Sequence, residues 1–135
     1  MTFIDTNVLL YAVCPGSHER AKAEKARDIL RRDDLILSVQ VLQEFYVQAT
    51  RPTRAQPLSH AEATALINLW LRFTVIELSV PLMQAALRLK DRCQTSYWDA
   101  AILAAAATAS CTEILSEDLN PGQSYDGVRC VNPFL

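Results

Sequence analysis

Short apolar runs recur along this chain, each separated from the next by segments with helical periodicity, and that alternation narrows the possible folds more than any other feature. The runs fall at residues 2–4, 35–37, 74–77, 113–115 and 128–131. Runs of this length, apolar on both faces, read as strands buried inside a sheet. Between them lie amphipathic stretches. Residues 18–32 put Ala23, Ala26, Ile29 and Leu30 on one face and Lys22, Lys25, Arg27, Arg31 and Arg32 around the rest, with Ser17 expected as the cap. Ser38 should cap a helix over 39–50 whose inner face is Val41, Leu42, Phe45 and Ala49. Ser59-His60-Ala61-Glu62 has the form of a capping box and opens a helix to about residue 73, with Leu66, Leu69, Trp70 and Phe73 inward. Ser79 and Ser96 should cap helices over 80–93 and 97–109. Strands alternating with helices predict an α/β fold: one three-layer α/β/α domain over residues 1–135, with a mainly parallel central sheet of about five strands.

Composition removes several functional classes. A net charge of −2 gives no overall attraction to nucleic acid, so any such contact must come from local basic residues. The four cysteines contain no C-x-x-C pair and the two histidines lack ligand spacing, which argues against zinc and for free thiols in a cytoplasmic setting. The longest apolar stretch, residues 100–109, is half the ~20 residues a membrane span needs, so no membrane role is expected. Nor is a secretory leader expected, because Asp5 interrupts the first apolar stretch.

Four acidic residues carry the chemistry. Asp5 directly follows the first strand, and ligands of open α/β sheets bind at the carboxyl ends of strands. It either faces a cation or donor in a crevice or, with Thr6, caps the next helix. Asp118 follows the fourth strand in a polar turn, where an Asx-turn is the simpler role. Asp99 is the only charge on a helix apolar nearly all round; it suits the positive first turn, or completes a capping pattern with Ser96. Glu44 borders the apolar face of its helix, a position where a solvated glutamate is common. All four can meet at one edge of the sheet. Two such charges 4 Å apart repel by roughly 4 kcal/mol at an effective dielectric of 20. No lysine or arginine near them in sequence neutralises the group. Either some acids stay protonated or a divalent cation holds them, and an all-oxygen donor set suits Mg²⁺ or Mn²⁺.

The stretches Ile4-Asp5-Thr6-Asn7-Val8-Leu9-Leu10-Tyr11, Gln43-Glu44-Phe45 downstream of Ser38, Tyr97-Trp98-Asp99-Ala100 and Leu115-Ser116-Glu117-Asp118-Leu119 resemble the motifs of PIN-domain ribonucleases. The ending Val131-Asn132-Pro133-Phe134 is similar to that of bacterial VapC-type toxins. The resemblance spans essentially the whole chain; each motif is short, and specificity comes from their order and spacing. It implies a Mg²⁺- or Mn²⁺-dependent endoribonuclease, the toxin of a toxin–antitoxin pair, with an RNA substrate, a VapB-type antitoxin and a homodimeric state. It also implies that Asp5, Glu44, Asp99 and Asp118 hold the metal, supported by Asn7 and Ser116. Glu117 stands beside Asp118, and either side chain has the reach to serve. Water activated by metal and carboxylate would leave a 5′-phosphate and a 3′-hydroxyl. Arg51, Arg54, Lys22, Lys25 and Arg27 are candidates to hold RNA; for the helix residues a solvated face is the favoured reading, while Arg51 and Arg54 on their loop are better placed.

Two other readings compete. One is a catalytically inactive PIN-like module that binds RNA or protein. The other is a Mg²⁺-dependent phosphoacceptor domain. That would need an aspartate ending the third strand and a lysine after the fifth, where Glu77 and Asn132-Pro133-Phe134 stand. A dehalogenase-type phosphatase would need D-x-D where Asp5-Thr6-Asn7 stands.

Overall fold

The computed structural model describes residues 1–135 and builds twelve elements from them. In chain order these are β1 (Thr2–Ile4), α1 (Thr6–Val13), α2 (Arg20–Ile29), β2 (Leu35–Ser38), α3 (Val39–Ala49), α4 (His60–Trp70), β3 (Thr74–Ile76), α5 (Val80–Arg92), α6 (Tyr97–Thr108), β4 (Glu113–Leu115), β5 (Ser124–Tyr125) and β6 (Val128–Val131). The architecture is the expected α/β/α domain around a mostly parallel sheet. The strand order is β3-β2-β1-β4-β6-β5, and only the β5–β6 pair is antiparallel.

Side-chain caps start most of the helices. Ser38 Oγ accepts from Val41 N–H at 3.3 Å, Ser79 Oγ from Leu82 N–H at 3.2 Å and Ser96 Oγ from Asp99 N–H at 3.1 Å. Ser59 and Glu62 close both bonds of the capping box, at 3.1 and 3.0 Å. Ser17 does not cap α2. That helix starts three residues later, behind Glu19, whose carboxylate accepts the Gly16 N–H and so closes the preceding turn instead.

The core is one continuous cluster running from the inner sheet faces into the helices. Phe3, Ile4, Leu37 and Ile114 are fully buried in the sheet, and Ala100 together with Ile102 to Ala106 buries most of α6. Phe45 of α3 meets Trp70 of α4 edge-on, with ring centroids 4.7 Å apart. Leu69 departs from expectation: it is 53 % exposed beside a buried Trp70. α4 presents a narrow stripe of Ala63, Leu66, Ile67 and Trp70, at helical spacing, and Leu69 lies off it.

β5 is the strand the periodicity did not reveal. It pairs Tyr125 with Val128 across Asp126 and Gly127, whose φ values of +48° and +84° form a two-residue hairpin turn. All four cysteines are free, and no helix is long and apolar enough to cross a membrane.

The topology itself locates a crevice. From β1 the chain builds outward to β2 and β3, then returns to place β4 on the other side of β1. The strand order therefore reverses between β1 and β4, and in open parallel sheets ligands bind beyond the carboxyl ends of the strands at such a point.

Candidate active site

Asp5 and Ser116 are the residues that leave β1 and β4 at this switch point. The β1–β4 register aligns Ile4 with Leu115, so the next residue on each strand opens the crevice. Asp5 N–H still donates to Leu115 C=O at 3.1 Å, and Ser116 N–H to Val131 C=O at 3.0 Å. The ladder thus fixes both backbones at the point where their side chains meet.

Asp5 fills both of the roles its position suggested. Its Oδ1 accepts the Thr6 N–H at 2.7 Å and caps α1; its Oδ2 accepts the Ser116 hydroxyl at 2.7 Å. Asn7 Nδ2 bridges Ser116 Oγ at 3.3 Å and Asp118 Oδ2 at 3.2 Å, and Asp118 N–H donates to Ser116 Oγ at 3.1 Å. Asn7 and Ser116 are thus bonded to each other and to the carboxylates of Asp118 and Asp5. Glu44 joins from α3: Oε2 accepts the Thr6 hydroxyl at 3.0 Å and Oε1 accepts Gln40 Nε2 at 2.9 Å. Gln40 Nε2 also donates to the Trp98 carbonyl at 3.2 Å, tying α3 to the first turn of α6, where Asp99 sits.

The electrostatics show the same convergence. Burial pushes the Asp5 carboxyl up to about 6, and the charges of Asp118 and Glu44 push the same way against the Ser116 and Thr6 hydrogen bonds. Asp99 is raised as well, first by burial, with Asp118 and Glu44 again adding repulsion. One field thus contains all four acids. None of them takes part in any of the five ion pairs of the structure.

The donor set fits a hard divalent cation in chemistry and charge. Asp5 and Asp99 each feel the charges of Glu44 and Asp118, none of the four has a basic partner, and the buried Asn7 Oδ1 accepts no hydrogen bond. As the side chains stand, no three acidic, histidine or cysteine residues are grouped to hold an ion, so binding would draw the acids closer.

Glu117 has partners of its own outside the four acids, accepting from the Tyr11 hydroxyl and pairing with Lys22 Nζ at 3.0 Å. Lys22, a candidate for RNA, is thereby engaged with Glu117. Lys25 and Arg51 are exposed. Arg54 Nε donates to the Gln48 carbonyl at 2.6 Å, and its side chain lines a cavity of about 720 Å³ with Val13, Cys14 and Glu62, at the end of α1 opposite Asp5. Arg27 Nε is bonded to the Ala12 carbonyl at 2.9 Å. Gln40 went unnoticed in the sequence, and Thr6 was read only as a possible helix cap. The signal for Gln40 was its place one turn before Glu44, where helical neighbours meet.

A PIN-domain family model matches residues 2–122. No curated protein sequence matches significantly. Solved structures do. The toxin–antitoxin complex from Klebsiella pneumoniae is similar at a TM-score of 0.71 and 19 % identity, covering 98 % of each chain. Mycobacterium tuberculosis VapC20, described as a Sarcin-Ricin loop cleaving toxin, is similar at 0.66 and 19 %, covering 96 % of this chain and 99 % of its own. FitAcB from Neisseria gonorrhoeae is similar at 0.66 and 16 %, covering 99 % of each. At such identities these structures speak for the fold, whereas the family match runs through the crevice residues from Asp5 to Asp118, and by it the chain belongs to the PIN-domain family.

Proposed function

We propose that this chain is a metal-dependent endoribonuclease of the VapC toxin type. One observation carries the reading: Asp5, Glu44, Asp99 and Asp118 share a single electrostatic field at the β1/β4 switch point, with no basic side chain paired to any of them. Bound there, Mg²⁺ or Mn²⁺ would neutralise the cluster, acidify a water and stabilise charge developing on a phosphate. Asp5 is the fixed element, since cap and hydroxyl hold both its oxygens. Glu44 is oriented by Thr6 and Gln40. Asp118 is exposed, leaving the crevice open on the side from which a phosphodiester enters. Neither histidine serves as a base: both are exposed, and His60 is bonded to the Tyr46 hydroxyl at 3.0 Å. The proton of the attacking water would pass to a carboxylate of the cluster, the P–O3′ bond would break in line, and the leaving 3′ oxygen would take a proton from solvent, giving a 5′-phosphate and a 3′-hydroxyl.

An antitoxin partner fits the surroundings. Beside Gln40 lies an apolar groove of about 450 Å³ lined by Leu78, Val80, Met83, Tyr97 and Trp98, with Trp98 64 % exposed. A partner segment seating apolar side chains here and a basic one on the acids would mask both features. The toxin–antitoxin relatives support that reading.

The test is to incubate the purified chain with RNA and Mg²⁺ or Mn²⁺, with and without EDTA, and to sequence the cut ends beside an Asp5→Asn control. Metal-dependent cuts with 5′-phosphates, absent in the variant, are expected. A second reading is a PIN module that binds RNA without cutting it. RNA retention without cleavage in that experiment would establish it.

A further inference from the structure

Glu117 and Asp118 are neighbours in one loop, yet only one faces the acidic centre. Asp118 is held there by Asn7 Nδ2 and by the bond from its own N–H to Ser116 Oγ. Glu117 is held one helical turn further along α1, at Tyr11. Its Oε1 accepts from the Tyr11 hydroxyl and its Oε2 lies 3.0 Å from Lys22 Nζ. Lys22 Nζ also reaches the Tyr11 hydroxyl at 3.2 Å and lies 4.9 Å from the centre of its ring. Phe134 closes on the same ring edge-on, with centroids 4.9 Å apart. Four segments distant in sequence, namely α1, α2, the loop after β4 and the C-terminal residues, thus meet around one carboxylate.

A half-exposed ion pair contributes little to stability, and Lys22 and Glu117 keep 39 % and 23 % of their side-chain surface in water. Orientation is the stronger consequence. Without Tyr11 and Lys22, Glu117 would have no partner to keep its charge from the neighbouring crevice, where Asp118 is held by Asn7 and Ser116. We propose that Tyr11, Lys22 and Glu117 form a clamp of positioning residues that holds Glu117 out of the acidic centre and so aims Asp118 into it. The role rests on the nuclease reading above, but the orientation of the loop is measurable without metal or substrate.

The test uses Lys22→Met, Tyr11→Phe and Lys22→Arg, with Arg20→Met on the exposed side of α2 as control. Tyr11→Phe removes one hydroxyl, so folding is retained there even if a lysine variant is impaired. In metal-free protein, hydrogen exchange at the Asp118 amide is expected to accelerate about tenfold in Lys22→Met and Tyr11→Phe. It should stay at the wild-type rate in Arg20→Met and return toward it in Lys22→Arg. In cleavage assays the Mn²⁺ concentration for half-maximal rate should rise several-fold in the first two variants, with KM for RNA unchanged. Unchanged exchange in both would overturn the clamp. A raised KM in Lys22→Met with normal exchange would also overturn it, making Lys22 an RNA contact. A wild type that cuts no RNA sinks the nuclease reading and leaves the exchange rates to decide the clamp.

Discussion

At Asp5 a carboxyl is kept where water hardly reaches, and its proton affinity differs between folded and unfolded chains. Its folded value of about 6 lies above the ordinary 3.8 because burial disfavours the charged form. The folded state therefore binds this proton more tightly. The resulting stabilisation is complete below the unfolded value, declines as pH rises through the folded one, and is lost above it. It amounts to about 3 kcal/mol. In metal-free protein, urea unfolding at pH 5 and pH 8 should show a loss of stability with rising pH that is largely absent in Asp5→Asn; equal pH dependence in both would place the titration elsewhere. Asp99 is less enclosed, so Asp99→Asn should raise the metal-free Tm by only about 1–3 °C. A fall would show that its capping contribution dominates. At this scale Asp5 and Asp118 are legible because charges directly after buried runs are conspicuous, whereas Asn7 and Ser116 enter only through the family resemblance. Gln40 carried a local signal one turn before Glu44, but its bond to the Trp98 carbonyl did not; the Tyr11–Lys22–Glu117 cluster was not legible, since its members are distant in sequence and their meeting depends on how α1, α2 and the β4 loop pack.

Helix ends and strand alternation follow local rules, and local rules are readable. Ser38, Ser59, Ser79 and Ser96 all cap as their spacing suggests. Ser17 fails because α2 starts only at Arg20, behind Glu19, so Ser17 lies outside the cap position. β5 was missed although Asp126-Gly127 is a strong hairpin signal; two-residue strands carry too little periodicity to register. Gly127→Ala, forced to adopt φ +84°, should lower stability by about 1 kcal/mol in chemical unfolding, and an unchanged midpoint would mean the turn relaxes. In α4, Trp70→Ala should cost about 3–5 kcal/mol through the cavity left against Phe45. Leu69→Ala one residue earlier should stay within about 0.5 kcal/mol, since that side chain is in water.

The molecule as a whole pairs an acidic crevice with a near-neutral charge balance, so polyanion binding must depend on few contacts. If exposed Arg51 is one of them, Arg51→Ala should reduce the slope of log K against log salt by about 0.7–0.9 for RNA, and an unchanged slope removes it from the interface. The fold was legible because every parallel strand carries its own short apolar run, and the switch point follows from the order in which those strands assemble. Convergence of the four acids was inferable only as a consequence of that order, never from spacing alone. It is tested most directly by calorimetric titration of Mn²⁺ into metal-free wild type and Asp5→Asn. Saturable binding by the wild type and its loss in the variant are expected; no binding by the wild type, or equal binding by both, would contradict the assignment of these four acids as a metal centre.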